Sequence, residues 1–99
     1  MTLAQAFQTK AIQNAQTAML ELGCPTKRLL QTLQTRGGAE TVRELCKRGR
    51  ASDGFDDLFT KGRGELTLEA LVIKGKYGPL FTDEEVNWCL EVLVEAGYF

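Results

Sequence analysis

Apolar residues recur every three to four positions over the first part of the chain, from Leu3 to Leu22. This spacing places them along one side of an α-helix, with polar but nearly uncharged side chains opposite. The stripe is rich in alanine, which lets a neighbouring helix approach closely. Gly23 is expected to end this helix, and Pro25 suits the first turn of the next. The predicted stripe comprises Ala4, Phe7, Ala11, Ala15, Ala18 and Leu22, flanked by Ile12 and Met19.

Glycines divide the middle of the chain into shorter helical segments. A second helix, PTKRLLQTLQTR, is predicted to stop at Gly37-Gly38, and a third, AETVRELCKR, to stop at Gly49. The residues that the third helix is expected to bury are Ala39, Val42, Leu45 and Cys46.

Two more short helices are predicted between the third helix and the C-terminal part. Ser52 is placed to cap a fourth, DGFDDLFTK, which Gly62 would end, and Thr67 to cap a fifth, LEALVIK, closed by Gly75. A β-strand over LVIK is the alternative, because two β-branched residues are adjacent there. The fourth helix is expected to turn inward Phe55, Leu58 and Phe59.

The last helix carries the most complete start signal. Thr82 and Glu85 have the spacing of a capping box, and Phe81 can pack on Val86 as a hydrophobic staple. Gly97 is expected to end this helix and to leave a short aromatic tail. The predicted architecture is therefore all-α, a compact bundle of five to six short helices that forms a single domain over residues 1–99.

Trp88 falls on the acidic side of the last helix rather than on its apolar side. Two interpretations are open: another part of the fold covers the indole, or Trp88 anchors a partner, since tryptophan is enriched at interface hot spots. The apolar side is formed by Val86, Cys89, Leu90, Leu93 and Ala96. The candidate partner-binding residues are Trp88, Glu84, Glu91, Glu95, Tyr98 and Phe99.

Charge is unevenly distributed along the chain, although the net charge is only -1. Residues 24–63 hold nine Lys or Arg against five Asp or Glu, whereas residues 79–99 hold five acids and no base. The basic side chains form a candidate patch for phosphates or an acidic protein surface; the alternative is a solvated face, with Glu44 and Arg48 spaced for an ion pair. This candidate patch comprises Arg43, Lys47, Arg48, Arg50, Lys61 and Arg63.

The chemistry of the composition points away from catalysis and from bound metals. The chain contains no histidine, the commonest general base and a frequent zinc ligand. Its three cysteines are odd in number and far apart, so free thiols without metal are expected. An EF-hand loop counted from Asp53 fails, because Phe55 and Gly64 occupy ligand positions. We therefore expect no catalytic residue, no metal site and no cofactor.

The sequence resembles a family of small bacterial and mobile-element proteins over residues 37–98. The resemblance is carried by the runs SDGF, GR, LTLEALV, LFTDEE and GY. It implies one compact helical domain and assigns no activity, ligand or site residue.

No signal peptide or membrane-spanning segment is predicted, because no uninterrupted apolar run exceeds four residues. The expected location is therefore the cytoplasm. The expected function is a non-enzymatic protein-binding or regulatory module of a bacterium or mobile element, acting with a protein partner or as a homo-oligomer. The alternative is a nucleic-acid-binding accessory protein that uses the basic segment 27–63. The pI near 5.4 argues against DNA binding without a partner.

Overall fold

The computed structural model describes residues 2–98, and over them the chain is an all-α bundle, as the sequence predicts. Two 3₁₀ helices, Gly64–Leu66 and Gly75–Leu80, lie on either side of the fifth α-helix. The predicted alternative of a strand over LVIK is wrong, since residues 68–72 are helical. The α-helices are α1 (Leu3–Leu22), α2 (Lys27–Arg36), α3 (Gly38–Arg48), α4 (Phe55–Thr60), α5 (Leu68–Val72) and α6 (Asp83–Glu95).

The longest helix, α1, has the predicted bounds. It begins with a capping box that sequence reasoning missed: the Thr2 hydroxyl accepts from the Gln5 N–H over 3.1 Å, and the Thr2 N–H donates to Gln5 Oε1 over 2.9 Å. Phe7, Ala11, Ala15 and Ala18 are buried as expected, but Ala4 is exposed.

Ser52 does not cap α4, contrary to the sequence prediction. The helix begins at Phe55, after Gly54 with a positive φ of 81°, and has no side-chain cap. The Ser52 hydroxyl is instead directed to α5, where it binds Glu69. A long-range partner has therefore displaced the local capping bond.

Gly75 does not close α5 as predicted. The helix ends at Val72, and Gly75 lies at the start of a 3₁₀ helix without the left-handed conformation typical of a glycine that ends a helix. In contrast, Gly23 and Gly49 end α1 and α3 in that conformation, with φ of 67° and 65°. A glycine in the sequence thus marks a break in the helix, but not the backbone geometry of that break.

The start of α6 confirms the prediction from sequence. Thr82 accepts from the Glu85 N–H over 3.2 Å, and the Thr82 N–H donates to the Glu85 carboxylate over 2.8 Å. Phe81 and Val86, the predicted staple pair, are both half-buried against the main core. The helix is therefore fixed at its N-terminal end by bonds within four residues.

The main core gathers around Phe7, which is fully buried. Its ring makes edge-on contacts with Tyr77 at 5.2 Å and Phe81 at 5.1 Å between centroids. Gly38, the first residue of α3, lies so close to this ring that an added Cβ would come within 2.6 Å of it. The close approach of α1 and α3 thus depends on a glycine.

Among residues 2–98, the chain has no helix with the length and apolar character needed to cross a bilayer.

Candidate functional site

The indole of Trp88 is half-buried and packs against the main core. The helix that carries it, α6, lies against α3 and α5. This placement favours the interpretation that other parts of the fold cover Trp88. The exposed carboxylates of Glu84, Glu91 and Glu95, which belong with it to the candidate partner-binding set, lie on the same side of α6 as the indole.

The aromatic tail is tied to the fold through Tyr98. Its ring stands edge-on to the ring of Phe59, with 5.8 Å between the centroids. Phe59 belongs to the same apolar cluster as Leu93 and Ala96 of the inner side of α6 and its C-terminal end. Phe99, the last member of the candidate partner-binding set, lies outside the described residues.

The outer side of α6 is a surface with both apolar and acidic residues. We call it the α6 face; it surrounds a shallow depression of about 410 Å³. Val94 is 61% exposed there, a high value for a large apolar side chain. The α6 face is formed by Asn87, Leu90, Glu91, Val94 and Glu95.

The members of the candidate basic patch differ in their ion pairs and in whether they line a groove. Arg43 pairs with Glu40 at 3.0 Å and reaches Glu85 of α6 at 3.5 Å, so it links α3 to α6. Arg63 pairs with Glu65 at 3.3 Å. Only two members of the patch, Arg48 and Arg50, line the groove described next; Lys47 and Lys61 are exposed and lie outside its lining.

A groove of about 470 Å³ lies between α2, α3 and the segment that follows α3. Four arginines surround it, so we call it the arginine groove. Its apolar surface comes from Leu29, Leu45 and Ala51. The remaining lining residues are Arg28, Arg36, Arg48, Arg50, Thr32, Thr41, Glu44 and Asp53.

Helical spacing explains how the arginines reach one groove. Arg28, Thr32 and Arg36 stand four residues apart along one row of α2. Arg48 lies in the last turn of α3, and the left-handed Gly49 then turns the chain so that Arg50 also lines the groove. Sequence reasoning left out Arg28 and Arg36. Their four-residue spacing was a visible signal, but it did not indicate which face of α3 they would meet.

The arginines differ in their ion pairs. Glu44 lies between Arg36 and Arg48, at 3.6 Å from each, and the predicted pair of Glu44 with Arg48 is therefore confirmed. Arg28 and Arg50 make no ion pair within the part of the chain that the structure describes. Two guanidinium groups are thus available to an anionic ligand, and each offers several N–H donors in a planar fork.

A buried carboxylate holds the segment that forms one wall of the groove. Glu69 is only 1% exposed, and it accepts from Ser52 Oγ over 2.6 Å and from the Ser52 N–H over 2.7 Å. Burial raises the pKa of Glu69, and the two bonds from Ser52 oppose that rise. Ser52 lies between Ala51 and Asp53, which both line the groove, so Glu69 positions this wall.

The three cysteines are free thiols. Cys24 and Cys89 are buried, whereas Cys46 is half-buried. Burial raises the pKa of Cys89, and the nearby Glu69 carboxylate raises it further. Within residues 2–98, no three His, Cys, Asp or Glu side chains come together in a way that could hold a metal ion.

Comparison of the chain with protein-family models, with curated proteins and with solved structures gives no match. The resemblance to bacterial proteins over residues 37–98 therefore stays a prediction. Function is inferred below from the chemistry of the arginine groove and the α6 face.

Proposed function

We propose that this chain is a non-catalytic binding module that takes an acidic segment of a protein in its arginine groove. The observation that carries the proposal is the pair of arginines without ion pairs, Arg28 and Arg50, in the lining of a groove that also contains three apolar side chains. A carboxylate that binds such a guanidinium forms charge-assisted bonds, which are about twice as strong as neutral ones. Apolar side chains of the same segment would contact Leu29, Leu45 and Ala51.

The composition of the groove favours an acidic peptide over a nucleic acid. Glu44 and Asp53 lie in the lining, where they would repel the closely spaced charges of a phosphate backbone. An acidic peptide can place apolar or polar residues opposite those two carboxylates. The net charge of -1 also works against non-specific attraction to nucleic acid.

The lining supports binding rather than catalysis. It contains no histidine, cysteine or lysine, and of its two carboxylates Glu44 already pairs with Arg36 and Arg48. Its arginines supply positive charge and hydrogen-bond donors to a bound anion.

Calorimetric titration with a synthetic peptide of glutamate, leucine and serine tests the proposal. Arg28→Glu and Arg50→Glu should each weaken binding more than tenfold, which corresponds to a loss of about 1.4 kcal/mol. Lys10→Glu is the matched control, because it makes the same change of charge at an exposed site on α1 outside the groove. It should leave the affinity within a factor of about two. Equal losses in all three variants would show general charge attraction and refute the groove as the site.

The nucleic-acid alternative is tested on the same proteins. Duplex and single-stranded DNA are titrated at low salt, near ~50 mM, where phosphate contacts are strongest. If DNA binds, the logarithm of its affinity should fall with that of the salt concentration, with a slope of about -0.9 per duplex phosphate contacted. Tight DNA binding that depends on Arg28 and Arg50, with no peptide binding, would replace the proposal with that alternative.

A further inference from the structure

The chain itself carries a segment with the chemistry that the arginine groove would accept. On the α6 face, Leu90 and Val94 form one row and Glu91 and Glu95 a second row beside it. Members of each row are four residues apart, so each row runs along the helix axis. No Lys or Arg occurs between residues 83 and 95, so the acidic row is not neutralised by its own helix.

We propose that the α6 face of one copy of this chain docks into the arginine groove of a second copy. The inference rests on the proposed function, since it names the acidic segment that the groove takes. In this contact Glu91 and Glu95 meet the guanidinium groups of Arg28 and Arg50. Leu90 and Val94 then cover the apolar surface of the groove.

Charge and shape both support this choice of occupant. The groove presents two arginines without ion pairs, and the face presents two exposed glutamates about one helical turn apart. The groove lies between α2, which carries Arg28, and the segment after α3, which carries Arg50, so a helix laid into it would bring its two glutamates to two different elements. Burial of the exposed Val94 side chain adds a hydrophobic contribution that a purely charged contact lacks.

The α6 face and the arginine groove are different surfaces of the same chain. The inner side of α6 is committed to the fold through the fully buried Cys89 and Leu93, which leaves the outer side for a partner. Each copy can therefore give one contact and receive another. Copies joined in this way form open chains or closed rings, of which a two-fold dimer with both contacts is the smallest.

Sedimentation and light scattering of paired charge-reversal variants at low salt test the arrangement. Arg28→Glu with Arg50→Glu reverses the two charges of the arginine groove that would bind the glutamates. Glu91→Lys with Glu95→Lys reverses the two charges of the α6 face. Each double variant alone should be monomeric, whereas the wild type should form larger species as its concentration rises. Higher salt should weaken the wild-type association, because exposed charges are screened.

An equimolar mixture of the two double variants gives the sharpest result. The first variant keeps an intact α6 face and the second keeps an intact groove, and the reversed pair, a groove with glutamates and a face with lysines, is also complementary in charge. The mixture should therefore assemble, although neither double variant does so alone. Glu21→Lys, an exposed change on α1, is the control and should assemble like the wild type. Circular dichroism confirms that each variant is folded.

The outcomes separate this inference from the proposed function. A wild type that stays monomeric while the acidic peptide binds the groove would overturn self-docking and leave the proposed function standing. If the wild type stays monomeric and the acidic peptide also fails to bind the groove, both self-docking and the proposed function are wrong. Assembly that survives either double variant, or a mixture that stays monomeric, would also refute the contact between the α6 face and the groove.

Discussion

Ser52 donates two hydrogen bonds to Glu69, from its hydroxyl over 2.6 Å and from its backbone N–H over 2.7 Å. The two residues are 17 positions apart, and both are buried. The buried carboxylate of Glu69 therefore links helix α5 to the segment that precedes α4. Removing a charge from water costs several kcal/mol, and hydrogen bonds to a charged group return about 1.5–3 kcal/mol each. This pair consequently makes the stability of the fold sensitive to pH.

Glu69→Gln should remove part of that pH dependence. Burial raises the pKa of Glu69 in the folded state above its ordinary value of 4.5, so the folded chain holds this proton more tightly than the unfolded chain does. The contribution of Glu69 to stability is then fully present below pH 4.5 and is lost as the pH rises through the folded-state pKa. Relative to wild type, the Gln variant should gain stability as the pH increases from acid to neutral.

Urea unfolding of both proteins across that range measures the effect. The comparison is a difference between two chains that share all other carboxylates, so titration elsewhere largely cancels. A difference in unfolding free energy that stays constant with pH would contradict the prediction. A difference that changes in favour of wild type towards neutral pH would mean that the Ser52 bonds outweigh burial.

Gly38→Ala should destabilise the fold through the contact of α3 with α1. An added Cβ would come within 2.6 Å of the Phe7 ring, which is itself held between Tyr77 and Phe81 and cannot easily move. Overpacking of this kind typically costs about 1–3 kcal/mol. Gly75→Ala is the control, because its Cβ would meet nothing within 4 Å and its φ is not positive. Urea unfolding should show the loss at Gly38 and a change of less than about 0.5 kcal/mol at Gly75.

Local signals in the sequence predicted the ends of the long helices well. The end of α1 at Gly23 and the capping box of α6 depend on residues within four positions of one another, so spacing alone reveals them, although the similar box of Thr2 and Gln5 was missed. The same logic failed at Ser52, where a local cap was predicted and a bond to Glu69 formed instead. The residues next to Ser52 in the sequence do not indicate a partner 17 positions away.

The candidate site was predicted only in part, for a similar reason. The candidate basic patch predicted from the sequence shares Arg48 and Arg50 with the arginine groove, but it also includes Arg43, which pairs with Glu40 and Glu85. It omitted Arg28 and Arg36, because only the packing of α2 beside α3 brings them into the groove. The sequence predicted which helices carry charge; their arrangement determined which charges meet.

The thiols should react in an order set by burial. In the folded protein at mildly alkaline pH, a disulfide reagent should modify Cys46 first, because it is half-buried while Cys24 and Cys89 are 2% and 0% exposed. Burial also raises the pKa of Cys46, so this reaction should be slower than that of a free thiol and should accelerate with pH. Mass spectrometry after trapping identifies the modified site. Early modification of Cys89 would show that α6 detaches readily from the core.

Trp88→Ala should destabilise the fold, because the indole packs against the main core although it stands on the acidic side of its helix. Truncation of a buried tryptophan typically costs about 3–5 kcal/mol, and for a half-buried side chain we expect about 2–3 kcal/mol. Val94→Ala, at a more exposed position on the same helix, should cost less than about 0.5 kcal/mol in the monomer.

Trp88 is the only tryptophan, so its emission reports on this site alone. It should shift to the red on unfolding and stay unchanged on dilution, even where dilution separates assembled copies, since residues of its own chain cover it. A red shift on dilution without loss of helical circular dichroism would place Trp88 at an interface between copies and contradict its assignment to the core.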